Sequence, residues 1–95
     1  MHADFDLIHN HHERAVAEAV RTGVANFPHL RDTELLADVV CVALNRLPPR
    51  YIRHEVDFAF YLTDRERSEN EQAIAEAVAF AFEFVQARAA MRARR

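Results

Sequence analysis

Apolar residues recur at the three-and-four spacing of a helix in three stretches of the chain, and between the second and third the spacing drops to two. In the first stretch, Ile8, His12, Ala15, Val16, Ala19 and Gly23 fall on one stripe, which predicts a helix from about Leu7 to about Ala25. Asn10 with Glu13 three residues later fits a capping box at its start. Phe27-Pro28 ends it, because the residue before a proline avoids helical angles. The second helix is capped by Asp32 or Thr33 and runs to about Arg46, where Pro48 and Pro49 forbid continuation. Leu36, Val39, Val40, Ala43, Leu44 and Leu47 form its stripe, while Glu34, Asp38, Cys41 and Asn45 share the opposite side. Leu35 and Val42 flank the stripe and predict a central helix. Thr63-Asp64-Arg65-Glu66 is a second capping box, opening a third helix that runs to about Ala90. Ile74, Ala77, Val78, Ala81, Phe82 and Val85 make its stripe, widened by Ala73, Phe80, Phe84 and Met91 to roughly 200° of the circumference. Arg88 falls within that arc, so packing is expected to end near it.

Between Tyr51 and Leu62 the period changes. Val56, Phe58, Phe60 and Leu62 alternate with Asp57, Ala59 and Tyr61, which reads as an extended strand. A helix through Ile52, Val56 and Phe60 is the competing reading. A lone strand must find partners for its backbone N–H and C=O groups, and a second copy of the chain is the expected source. The wide apolar arc of the third helix points the same way. The expectation is a mainly α, three-helix compact domain with a short extended segment, dimeric through an intersubunit strand pair.

Composition narrows the class. Ninety-five residues make one domain (residues 1–95), with 1–6 and 91–95 as flexible ends. A chain this short has a thin core and gains from a partner. Apolar residues are 51% of the chain, but seventeen of them are alanine, so the seven phenylalanines with Leu, Ile and Val carry the burial. One cysteine excludes an internal disulfide and a four-cysteine zinc site, and the single glycine, Gly23, excludes a glycine-rich phosphate loop. No apolar run approaches the ~18 residues of a membrane span, and no signal region is visible, so a cytoplasmic, soluble domain is expected. Net charge is −3, from fifteen acids and twelve arginines with no lysine. That balance argues against duplex DNA as a partner but leaves room for a small anion at a local arginine cluster.

Candidate chemistry concentrates in one place. Ser68 is the only serine and lies in a charged stretch, and Cys41 sits mid-helix, where it reads as a small core residue, so covalent catalysis is not expected. His9 and His12 are one helical turn apart with His11 and Glu13 between and beside them, a spacing that can hold a divalent metal. Without HExxH or a second paired site, these residues read as polar groups at a frayed helix start. In Leu44-Asn45-Arg46-Leu47-Pro48-Pro49-Arg50-Tyr51-Ile52-Arg53-His54, arginines stand on both sides of a rigid turn. Stiff backbone lowers the entropy cost of holding them, the guanidinium fork suits phosphate and guanine, and Tyr51 adds a stacking face. On the residues alone, this is equally a helix stop flanked by solvated arginines.

The run DVVCVALNRLPPRYIRH resembles the hallmark of the late-competence ComFB family: Asp-Val, small apolar residues, Leu-Asn-Arg/Lys, a proline turn and Tyr. Ile8 to Val16 is similar to that family's opening Asn-x-x-Glu helix, and the resemblance covers about Asn10 to Val85. It implies a small helical homodimer without enzymatic activity and, from part of the family, a receptor for the second messenger cyclic di-GMP. Asp38, Asn45, Arg46, Pro48, Pro49, Arg50 and Tyr51 match the family positions. Arg46-x-x-x-Arg50 also echoes the RxxxR of PilZ-type receptors, whose second motif is absent. The expected ligand residues are therefore Arg46, Arg50, Tyr51 and Arg53, with Asp38, Asn45 and Asp57 beside them. Some family members carry a cysteine cluster that holds zinc, whereas here the matching stretch is Phe27-Pro28-His29-Leu30-Arg31-Asp32, so no metal or other cofactor is expected. A competence or type IV pilus interaction protein that binds no nucleotide is the alternative.

Overall fold

A computed structural model of the chain describes residues 4–54, 56 and 62–94. Among the described residues there are three α-helices and one two-stranded antiparallel sheet. In chain order these are β1 (His9–Asn10), α1 (His12–Gly23), α2 (Thr33–Asn45), β2 (Tyr51–Ile52) and α3 (Asp64–Ala93). Short 3-10 turns cover Asp4–Leu7, Val24–Asn26 and Pro28–Leu30.

The helix starts of α2 and α3 follow their caps. The Asp32 carboxylate accepts the Glu34 N–H at 2.7 Å, and the Thr63 hydroxyl oxygen accepts the Glu66 N–H at 3.1 Å. α3 continues three residues past the expected Ala90, to Ala93. Its first turns carry Asp, Glu, Arg and Asn rather than core residues. They are braced along their own surface by Arg65–Glu69 at 3.0 Å and Gln72–Glu76 at 3.2 Å. Such i,i+4 contacts contribute only a few tenths of a kcal/mol each.

The start of α1 departs from expectation. The helix begins at His12 rather than near Leu7, and it ends at Gly23 rather than Ala25. The preceding residues are taken by a 3-10 turn and by β1, whose His9 and Asn10 pair with Ile52 and Tyr51. Ile8, placed on the buried stripe by its spacing, is consequently half exposed. The Asn10 side chain does cap, but by accepting the His12 N–H at 3.2 Å.

The extended reading of 51–62 holds for Tyr51–Ile52, which pairs with His9–Asn10 of the same chain, whereas Val56, where the apolar alternation begins, is helical. Residues 57–61, including Asp57, lie outside the described residues. β1 was invisible to periodicity because two residues cannot display one.

The core forms where the three helices meet. Val16 and Val20 from α1, Val39 and Ala43 from α2, and Val78, Ala81, Phe82 and Val85 from α3 are buried, with Leu30 and Leu47 closing the ends. The Phe27 and Phe82 rings stack with centroids 4.6 Å apart and planes 4° from parallel. Cys41 is exposed, against its expected place in the core, because α1 and α3 cover the Val39 and Ala43 side of α2 and leave the Cys41 side open. Two helices are too few to surround α2. α3 has the same difficulty: Phe80 and Phe84 stay about two-fifths exposed and Met91 more so. The molecule measures 47 × 40 × 20 Å, and its radius of gyration of 15.4 Å exceeds the ~13 Å of a compact 100-residue domain.

Candidate functional site

The turn from α2 to β2 is the part of the fold on which most sequence-identified residues converge. α2 ends at Asn45, and the Arg46 N–H closes onto the Ala43 and Leu44 carbonyls. Leu47 is buried and anchors the turn, Pro48 and Pro49 stiffen it, and β2 follows directly. Two hydrogen bonds hold its far end to the other end of the chain. The Arg50 N–H donates to Asn10 Oδ1 at 3.2 Å, and the Arg50 carbonyl accepts the His11 N–H at 2.7 Å.

Cavities open on both sides of this turn. One, of about 220 Å³, is lined by His12, Arg50 and Asn70 together with Leu47, both prolines and Ala73. The other, of about 170 Å³, is lined by Arg46, Glu76 and Ala77 and shares Leu47, Pro48 and Ala73 with the first. They are neighbours along one groove between the turn and α3. Arg50 stands at one end and Arg46 at the other.

Arg46 is held by an aromatic face. Its guanidinium carbon lies 3.8 Å from the centroid of the Phe80 ring. Phe80 stacks in turn on Phe84 at 5.8 Å, and Arg88 stands 5.7 Å from Phe84, so two stacked aromatic rings lie between two arginines along α3. Tyr51 is two-thirds exposed beside β1, and Arg53 is exposed just after β2. Asn45 is exposed at the end of α2.

Asp38 is elsewhere. It lies about 12 Å before Arg46 along the α2 axis and borders a narrow crevice with Arg88 and Arg92. Within one chain it does not share the groove.

His12 is the buried ionisable residue at this site. Only 7% of it is exposed, and its pKa is held below the ordinary 6.5. Loss of water around the ring is the main cause, and the positive potentials of His11 and Arg50 add to it. A hydrogen bond to the Pro48 backbone works in the opposite direction. Proline has no N–H, so this bond runs from an imidazole N–H to the Pro48 carbonyl. Nδ1 is buried without a hydrogen-bond partner, which leaves Nε2 as the donor. His12 thus pins the first turn of α1 to the proline turn.

The spacing that suggested a histidine metal site is not realised. His9 is in β1, where its Nδ1 lies 3.1 Å from the Leu7 carbonyl, and His12 opens the helix. Among the described residues, no group of three His, Cys, Asp or Glu side chains is arranged to hold a metal ion.

A family model, Late competence development protein ComFB, matches residues 9–89. The chain belongs to the ComFB family. The match takes in β1, all of α1 and α2, the proline turn, β2 and most of α3, so every part of the groove lies within the family's domain. No curated protein and no solved structure matches the chain. None of the described helices is long and apolar enough to cross a membrane.

Two groove residues, His12 and Asn70, are absent from the sequence-derived ligand set, as is Glu76. Asn70 and Glu76 belong to an evenly polar helix surface, where spacing gives no sign of which side chains border a cavity. His12 does carry a signal, being a histidine on an apolar stripe, but its contact with Pro48 spans thirty-six residues of chain.

Proposed function

We propose that this ComFB-family protein is a non-enzymatic sensor of cyclic di-GMP. The observation that carries the reading is the placement of Arg46 and Arg50 at the two ends of one groove built on a rigid Leu47-Pro48-Pro49 turn. Arg50, with Arg53 from the adjoining bend, binds phosphate or a guanine Hoogsteen edge. The guanidinium of Arg46 lies on Phe80 and offers its other face to a guanine, and exposed Tyr51 stacks on the second base. A carboxylate is needed to accept from guanine N1 and N2. Glu76, which borders the same cavity as Arg46, is better placed within one chain than Asp38.

The ligand has two-fold symmetry and suits a two-fold protein, so a homodimer is part of the proposal. The flat shape and the uncovered Phe80 and Phe84 support it. Light scattering at micromolar concentration is expected to give twice the 11.0 kDa chain mass.

The same two rings, framed by Arg46 and Arg88, also favour a second reading as an interaction protein that binds no nucleotide. Calorimetric titration with cyclic di-GMP separates the two. Under the sensor reading the full chain binds, Arg50→Ala loses at least about thirtyfold, and a chain ending at Ala90 binds nearly as well as the full one. If the full chain shows no heat of binding, the interaction reading replaces the sensor.

A further inference from the structure

We infer that the cavity lined by His12, Arg50 and Asn70 receives a phosphate group, and that His12 takes a proton from solvent as the phosphate enters. The inference deepens the cyclic di-GMP reading and depends on it only for which phosphate ester is bound.

Size and chemistry select the ligand group. About 220 Å³ is below the 300–1,000 Å³ typical of pockets that enclose a drug-sized molecule, so the cavity takes a part of a nucleotide rather than a whole one. Among the described residues its polar lining is a guanidinium, an imidazole and a carboxamide. That set suits an anion with several acceptor oxygens. Arg50 supplies permanent charge, Asn70 supplies a neutral amide donor, and His12 places the N-terminal end of the twelve-residue α1 at the wall.

The state of His12 provides the coupling. Its ring is more than nine-tenths buried, Nε2 is committed to the Pro48 carbonyl, and Nδ1 meets neither water nor a hydrogen-bond acceptor. A proton on Nδ1 therefore creates a buried cation, and the described charged groups acting on the ring, His11 and Arg50, are both basic. From α3 the cavity is faced by the neutral Asn70 and Ala73. Among the described groups, only the Pro48 carbonyl favours the imidazolium until an anion arrives. A phosphate beside Arg50 reverses the local potential, so the protonated ring and the bound anion stabilise each other. By linkage, affinity rises as pH falls through the interval between the His12 pKa values of the bound and free protein.

The experiment follows the histidine ring nitrogens of the full chain by NMR from about pH 5 to pH 8, first without ligand, then with saturating cyclic di-GMP or inorganic phosphate. Either anion is expected to move the His12 titration midpoint upward by at least about 1 pH unit. Asn70→Asp, a near-isosteric change at a half-buried position early in α3, adds a negative charge to the cavity and is expected to weaken binding at least about tenfold while raising the ligand-free midpoint. If phosphate alone moves His12 and cyclic di-GMP does not bind, the cavity inference stands and the sensor reading falls. If cyclic di-GMP binds with the His12 midpoint unmoved, the inference is overturned and the sensor reading survives. If neither anion moves His12 and neither binds, both are wrong.

Discussion

Asn10 Oδ1 accepts the backbone N–H of Arg50 from forty residues along the chain and that of His12 from two, each at 3.2 Å. One carboxamide oxygen thus joins the start of α1 to the residue that follows the double proline. This gives the Asn-x-x-Glu signature at Asn10 a tertiary role beyond capping. Asn10→Ala removes the acceptor from two backbone donors in a partly wet setting and is expected to cost about 1 kcal/mol. For a domain of this size that corresponds to a melting temperature lower by about 4–8 °C. Asn10→Asp keeps the oxygen and most of the stability. Thermal circular dichroism on both variants checks this, and an Asn10→Ala protein that melts like the wild type would remove the strut from the account.

Gly23 closes α1 against an aromatic pair. A Cβ at this position meets Phe82 Cε2 at 2.8 Å, and Phe82 is buried and stacked on Phe27, so the ring has little space to give. In an open helix Gly→Ala stabilises by up to ~1 kcal/mol. Here the sign reverses, and Gly23→Ala is expected to destabilise by about 1–3 kcal/mol through overpacking. Urea unfolding reads this directly. A stabilised Gly23→Ala protein would mean that Phe82 moves freely.

What the sequence made legible was local. Asp32 and Thr63 cap helices through residues two or three positions away, and Val39, Ala43, Val78, Ala81 and Phe82 follow a helical period, so both helices could be read from short windows. The β1–β2 pair and the Asn10–Arg50 bond join segments some forty residues apart, and no short window contains that information. Arg46, Arg50 and the prolines could be singled out by residue type. Their neighbours across the groove, Asn70 and Glu76, depend on how α3 rotates against the turn, and that rotation is set by the core rather than by the polar residues themselves.

Cys41 tests the packing of α2. Its mid-helix position reads as that of a small core residue, yet it is exposed in the single chain. A maleimide should label it to completion in the native protein, at a rate close to that in denaturant. Strong protection under native conditions would show that a second copy covers this side of α2. A dilution series would then restore labelling as the copies separate.

The His12 environment also sets how folding responds to acid. Burial and the neighbouring His11 and Arg50 hold its folded-state pKa below 6.5, whereas in the unfolded chain it returns to about 6.5. The unfolded state therefore binds more protons in the interval between the two values. Since the slope of unfolding free energy with pH follows the excess of protons on the unfolded chain, stability rises with pH across that interval. The contribution is fully present above about pH 6.5 and is lost as pH falls towards the lowered folded-state value. Chemical denaturation at a series of pH values is expected to show this loss below pH 6.5 in the wild type. In His12→Gln, whose amide can still donate to the Pro48 carbonyl, the slope should be shallower by about one proton while the protein remains folded. Saturating phosphate should flatten the wild-type slope as well, because a bound anion returns the folded-state pKa towards its unfolded value. An equally steep slope in wild type and His12→Gln would assign the acid sensitivity to other groups and mean that His12 takes up its proton in the folded protein much as it does in the unfolded chain.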